Sequence, residues 1–279
     1  MVFAAAAAQP VSVVDDRGSR VALTRPAQRI VSLAPNLAEL AFAAGAGRRL
    51  VGVSRLSDYP ATARQLPTIG DAVRVDMERI VALKPDLVLA WLSGNAASDV
   101  ARLEQLGFPI YVSEARQIAD IPRQLRAIGA LAGTVADAEK AASGFEREVG
   151  ALRARFASAR KVRIFYEIWH KPLMTVNGAH LISDVIAACG GENVFADVRQ
   201  LTPTVSLEAV MAARPEAILG GGSSGGEKEF STQWGNAGAP LAHLPVYYIS
   251  PDLIQRATPR IVEGARAVCT ALEKARIGR

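Results

Sequence analysis

The feature that most constrains the fold is a helix-then-strand phrase that occurs twice. Asp76–Trp91 reads DMERIVALKPDLVLAW and Ser206–Gly221 reads SLEAVMAARPEAILGG. Position 78 answers to 208 and position 85 to 215, so the offset is constant. In the first copy Asp76 is placed as a helix N-cap, its carboxylate accepting from free N–H groups of the first turn. Glu78 sits in that turn, where the positive end of the helix dipole favours an anion. Ile80, Val81 and Leu83 can line one apolar face. Lys84-Pro85 stops the helix, because a residue before proline is pushed out of the α region. Asp86 turns the chain into Leu87–Ala90, an apolar run of the kind buried in a parallel sheet, and Trp91 falls at its end. The second copy has Ser206, Glu208, Arg214-Pro215 and Ile218-Leu219 in the same places. One long period used twice predicts two like-built α/β lobes rather than a solenoid. Ligands of open α/β sheets sit outside the carboxyl ends of the strands. Two such lobes facing each other leave a cleft, with Trp91 at its rim.

The rest of the chain alternates in the same way. Val11–Val14 and Arg20–Leu23 read as a hairpin turned at Asp15–Gly18. Strands are expected at 29–33, 50–53 and 110–112, with helices at 35–44, 97–106 and 121–132, the alternation of a parallel sheet. Thr134–Arg160 lacks proline and spaces Phe145, Val149, Leu152 and Phe156 three or four apart, which predicts one long amphipathic helix. The expected division is an N-terminal lobe at 11–133, a connecting helix at 134–160 and a C-terminal lobe at 161–279. In the second lobe, strands are expected at 161–166 and 246–249, with a turn at Asn177-Gly178 and Gly191-Glu192-Asn193 as a helix stop. Gly220–Gly226 reads as a flexible loop.

Composition removes some function classes. No apolar run approaches the roughly 18 residues needed to span a membrane. The net charge of +5 comes from 32 basic and 27 acidic residues. The arginines are scattered and few aromatics interleave with them, which argues against a nucleic-acid surface. Met1–Pro10 reads as the alanine-rich end of an export leader, or else as a cloning tail. Cys189 and Cys269 are a disulfide if the chain is exported, or two buried thiols if it is not.

Loops after strand ends carry Tyr59 and Trp91 in the first lobe, and Trp169, His170, Asp252 and Arg256 in the second. An aromatic rim with few polar groups suits a large, partly apolar small molecule; any one of these aromatics alone is equally well explained by core packing. Catalysis finds little footing. No Ser, Cys or Asp stands in a nucleophile motif. His170, His180 and His243 are dispersed, and Gly220–Gly222 runs into serines without the lysine of a phosphate loop. Glu78 and Glu208 serve their helix dipoles. As a matched pair they also offer one anionic point per lobe to a two-fold partner.

Several stretches together resemble a known family. They are Ala38–Gly45 (AELAFAAG), Ser57-Asp58-Tyr59-Pro60, Glu78–Val88 (ERIVALKPDLV), Ala90-Trp91 with Gly94-Asn95-Ala96, Cys189–Phe195 (CGGENVF), and Arg256-Ala257 with Pro259-Arg260-Ile261. They resemble the substrate-binding proteins of ABC importers, in the helical-backbone class (class III) that serves cobalamin, siderophores and haem. The SDYP and AW-x-x-GNA pieces point to its cobalamin branch. The resemblance implies two Rossmann-like lobes with central parallel sheets joined by one long helix. It implies a periplasmic, monomeric carrier without chemistry or cofactor, which holds a corrinoid in the inter-lobe cleft and delivers it to an inner-membrane permease dimer. By position, Tyr59 and Trp91 match aromatics that pack on the corrin, and Trp169 lies near another. Asp252 and Arg256 match a polar pair facing the ligand, Glu78 and Glu208 the permease-docking glutamates, and Cys189 with Cys269 the family disulfide. The chain departs from the pattern at Thr68–Asp71, Thr202 and Leu253-Ile254, where the family carries aromatics. The alternative ligands are a ferric siderophore, or haem with Tyr59 as phenolate ligand to its iron. A corrinoid- or metal-processing enzyme is the alternative of another class.

Overall fold

The computed structural model describes residues 10–71, 74–221 and 226–278. The leader-like stretch, Pro10 apart, and most of the Gly220–Gly226 loop lie outside the described residues. The chain divides into two compact units. The first runs to Ala115 and adds Ala119–Phe145; the second takes Arg116–Ile118 and everything from Glu146.

The first unit opens with an antiparallel hairpin of β1 (Val11–Val14) and β2 (Arg20–Leu23). Then come β3 (Ile30–Ser32), α1 (Pro35–Ala43), β4 (Leu50–Val53), α2 (Met77–Leu83), β5 (Leu87–Trp91), α3 (Ala97–Gln105), β6 (Ile110–Ser113) and α4 (Asp120–Ala132). The four later strands form one parallel sheet in the order β4-β3-β5-β6. α5 (Val135–Phe156) begins in this unit and ends in the next. Its seam is buried at Phe145, Val149 and Phe156, with Leu152 half-buried. It stops four residues short of Arg160, in a turn closed by Ala159 N–H on the Phe156 carbonyl at 3.1 Å.

The second unit continues with β7 (Val162–Glu167), α6 (Leu181–Ala188), β8 (Gly191–Asn193), α7 (Leu207–Ala212), β9 (Ala217–Gly220), α8 (Gly226–Gly235), β10 (Val246–Tyr248), α9 (Pro251–Ile254) and α10 (Ile261–Ile277). Its parallel sheet runs β8-β7-β9-β10. Replace β3 by β7, β4 by β8, β5 by β9 and β6 by β10, and the two strand orders are the same. The repeat therefore extends beyond one helix and strand to the whole sheet.

The matched phrases fold alike. Arg79 N–H donates to the Asp76 carboxylate at 3.0 Å, and Ala209 N–H to the Ser206 hydroxyl at 3.2 Å, the N-cap bonds that free first-turn donors require. Ile80 and Val210 are the buried anchors of α2 and α7; Val81, expected on the same face, is exposed. Lys84 and Arg214 end their helices in the left-handed region, at φ of 45° and 48°, rather than in the extended form expected before proline. That conformation costs a side-chain-bearing residue roughly 1–2 kcal/mol. An arginine offsets it in both units. The Arg29 guanidinium donates to the Leu83 carbonyl at 3.0 and 2.7 Å. That of Arg163 donates to Ala213 at 2.6 Å and Arg214 at 3.3 Å. Each cation sits on carbonyls that the helix leaves unpaired, at the negative end of the dipole. Asp86 accepts from Arg29 N–H at 2.8 Å, and Glu216 from Arg163 N–H at 2.7 Å, so each arginine is also fixed by its backbone.

One expectation for the second unit fails. Gly191–Asn193 is not a helix stop but the strand β8; the stop is Gly190, at φ 73°. Met174 forms isolated bridges with Trp169 and Thr204. Thr175 bonds to the Pro203 carbonyl, and Asn177 to that of Leu201. Cys189 and Cys269 are joined, tying the end of α6 to α10. Among the described residues no helix is long and apolar enough to cross a membrane.

Candidate functional site

Parallel strands all deliver their outgoing loops to one edge of the sheet, and both units use that edge for exposed aromatic and apolar side chains. In the first unit, the loop after β4 carries Leu56 and Tyr59, 72% and 46% exposed, and the end of β5 carries Trp91 and Leu92. Leu56 holds the left-handed region at φ 68°. An exposed leucine in a strained conformation is the kind of outlier that gathers at binding loops. Leu56 and Leu92 have no sequence signal, since one apolar residue in a loop is ordinary. The structure thus brings Tyr59 and Trp91 to the same edge, on strands that flank β3.

In the second unit β7 delivers Trp169 and His170, and β10 delivers Asp252 and Arg256. Trp169 is 55% exposed, and its indole N–H donates to the Lys171 carbonyl at 2.9 Å. Asp252 and Arg256 face each other one helical turn apart, at 3.0 Å. The Asp252 side chain is 57% exposed, while that of Arg256 is 17% exposed and so mostly covered. Ile254, where the resemblance sets an aromatic, is buried.

Two residues before Trp169 stands a group that the sequence does not mark. Glu167, the last residue of β7, is fully buried. One carboxylate oxygen accepts from Gln233 Nε2 at 2.7 Å and Trp234 Nε1 at 2.8 Å; the other lies 3.9 Å from His170 Nδ1. Burial pushes the Glu167 carboxyl up to about 7, against the pull of its two donors. Burial, then the nearby Lys171, hold His170 below its ordinary value. His180, another histidine of this unit, caps α6 by accepting Ile182 N–H at 3.2 Å, and burial with the Arg116 charge brings it down to about 4.

Glu78 and Glu208 stand exposed in the first turns of α2 and α7. Bonds from the Ser206 hydroxyl and from its own backbone N–H keep the Glu208 carboxyl below its ordinary range. Among the described residues no three His, Cys, Asp or Glu side chains are grouped to hold a metal ion.

The profile of the family described as periplasmic binding protein matches residues 30–234. The Vitamin B12-binding protein of Vibrio parahaemolyticus is 38% identical over 248 residues, 89% of this chain and 90% of that protein. That of Yersinia pestis is 39% identical over 250 residues, 88% of each. Among solved structures, the periplasmic vitamin B12 binding protein BtuF of Vibrio cholerae aligns with a TM-score of 0.82 at 35% identity, over 90% of this chain and 99% of that one. The periplasmic heme-binding protein RhuT from Roseiflexus aligns at 0.77 and 23% identity, over 89% and 98%, a likeness of fold alone.

Proposed function

Because the chain belongs to the periplasmic binding protein family, we propose that it captures a corrinoid in the periplasm and hands it to the permease of an ABC importer. The observation that carries this reading is identity of 38–39% to vitamin B12-binding proteins over nearly nine-tenths of the chain. The family is one of substrate-binding transport proteins, and in this reading the chain binds and releases its ligand without chemistry. The exposed Trp169 and Tyr59 and the half-buried Trp91 offer flat apolar faces for a macrocycle, gaining from burial and stacking. In this reading Tyr59, Trp91 and Trp169 pack on the ligand, and Asp252 and Arg256 bond its polar side groups. The matched pair Glu78 and Glu208 meets basic residues on the two-fold permease.

A second reading, haem, is favoured by one observation: Tyr59 exposes its phenol on a fold that haem-binding proteins share. Absorbance separates the two. Hemin should bind weakly and give the same spectrum with wild type and with Tyr59→Phe. A tyrosinate-ligated ferric spectrum, lost in Tyr59→Phe, would replace the corrinoid reading with the haem one.

A further inference from the structure

The turn after Trp91 is shaped around that side chain. A β-carbon built on Gly94 lies 1.8 Å from Trp91 Cε3 and 2.2 Å from Cζ3. No non-bonded carbon pair comes so near, and an indole cannot bend, so any residue larger than glycine must turn the ring or move the loop. Gly94 does not occupy the left-handed region, so the ring rather than the backbone demands glycine here. The next residue holds the other end. The buried Asn95 accepts Trp91 N–H on its side-chain oxygen at 2.7 Å and donates from its amide to the Leu33 carbonyl at 3.1 Å. Its own N–H donates to the Trp91 carbonyl at 2.9 Å. Asn95 thereby fastens the end of β5 to the residue immediately after β3.

We infer that Gly94 and Asn95 are positioning residues: they fix the backbone and the ring of Trp91, and so set how tightly and how selectively this unit holds a flat macrocyclic ligand. Neither need touch the ligand. The inference rests on the reading that Trp91 does. Gly94 governs the ring through space, and Asn95 governs the strand end that bears it.

A double-mutant cycle with cyanocobalamin tests this. Gly94→Ala should weaken binding about tenfold, the scale of losing one aromatic contact. It should also alter the near-ultraviolet circular dichroism of the free protein, with the far-ultraviolet spectrum unchanged. Trp91→Ala should weaken binding to a similar degree. Gly94→Ala added to Trp91→Ala should then cost nothing more, because the ring it displaces is gone. Wild-type affinity in Gly94→Ala beside a weakened Trp91→Ala would overturn the inference, as would losses that multiply in the double variant. Wild-type affinity in Trp91→Ala instead removes the ligand role of Trp91, and this inference with it. Should Gly94→Ala alone fail to fold, a folded double variant binding like Trp91→Ala supports the clash with the ring, and a double variant that also fails to fold refutes it.

Discussion

Replacing Glu167 by glutamine should change how stability depends on pH, and the size of the effect comes from the burial of that carboxyl. Its value in the folded chain is about 7, against an ordinary 4.5. A folded value above the unfolded one means that the folded state binds the proton more tightly. The resulting stabilisation is complete below pH 4.5 and is lost as pH rises through 7. At about 1.4 kcal/mol per pH unit it amounts to about 3 kcal/mol. His180 acts in the opposite sense. Its folded value is about 4 against an ordinary 6.5, so its contribution is complete above 6.5 and lost as pH falls towards 4. Between pH 4.5 and 6.5 the two slopes cancel, and wild type owes these groups no net pH dependence. Glutamine cannot titrate, yet it keeps an amide oxygen for the Gln233 and Trp234 donors. Glu167→Gln should therefore lose stability by about 1.4 kcal/mol per pH unit on acidification through that window, while wild type does not. Urea unfolding monitored by circular dichroism, from pH 4.5 to 8, measures the difference directly. Parallel curves for the two proteins would refute the assignment of a raised value to Glu167.

The structure carries three further expected outcomes. Opening the disulfide by Cys189→Ala with Cys269→Ala frees a loop spanning 80 residues of sequence and should destabilise the protein by about 2–4 kcal/mol, read from the urea midpoint; an unchanged midpoint would contradict this. Glu78→Ala with Glu208→Ala should leave corrinoid affinity intact and stop uptake in a reconstituted transporter; an equal loss of affinity would refute the docking role. Arg163→Ala removes the cation from the last carbonyls of α7 and should cost about 1 kcal/mol, with Arg29→Ala costing about the same; a large cost from one and none from the other would deny that the two clamps are equivalent.

Much of the fold was legible because its signals are local. A cap, an acidic first turn, a proline stop and an apolar run lie within sixteen residues, and their recurrence exposed the two-sheet plan before any coordinate. The arginine clamps were not legible: Arg29 and Arg163 meet carbonyls 54 and 50 residues away in sequence. Strand β8 was missed because three residues starting with a glycine carry no alternation to read. For the site, strand ends predicted where Tyr59, Trp91, Trp169, Asp252 and Arg256 would stand, since a parallel strand delivers its successor to a known edge. Glu167 escaped because a glutamate at a strand end reads as solvated. Its donors, Gln233 and Trp234, lie 66 and 67 residues on. Gly94 was visible as part of a motif, but its reason lies in where one indole ring points.

The central claim is that this chain carries a corrinoid, and calorimetric titration of one preparation with cyanocobalamin, cobinamide and hemin addresses it most directly. Saturable one-to-one binding of both corrinoids is expected, each far tighter than hemin. Tight binding of hemin with no heat from either corrinoid would contradict it.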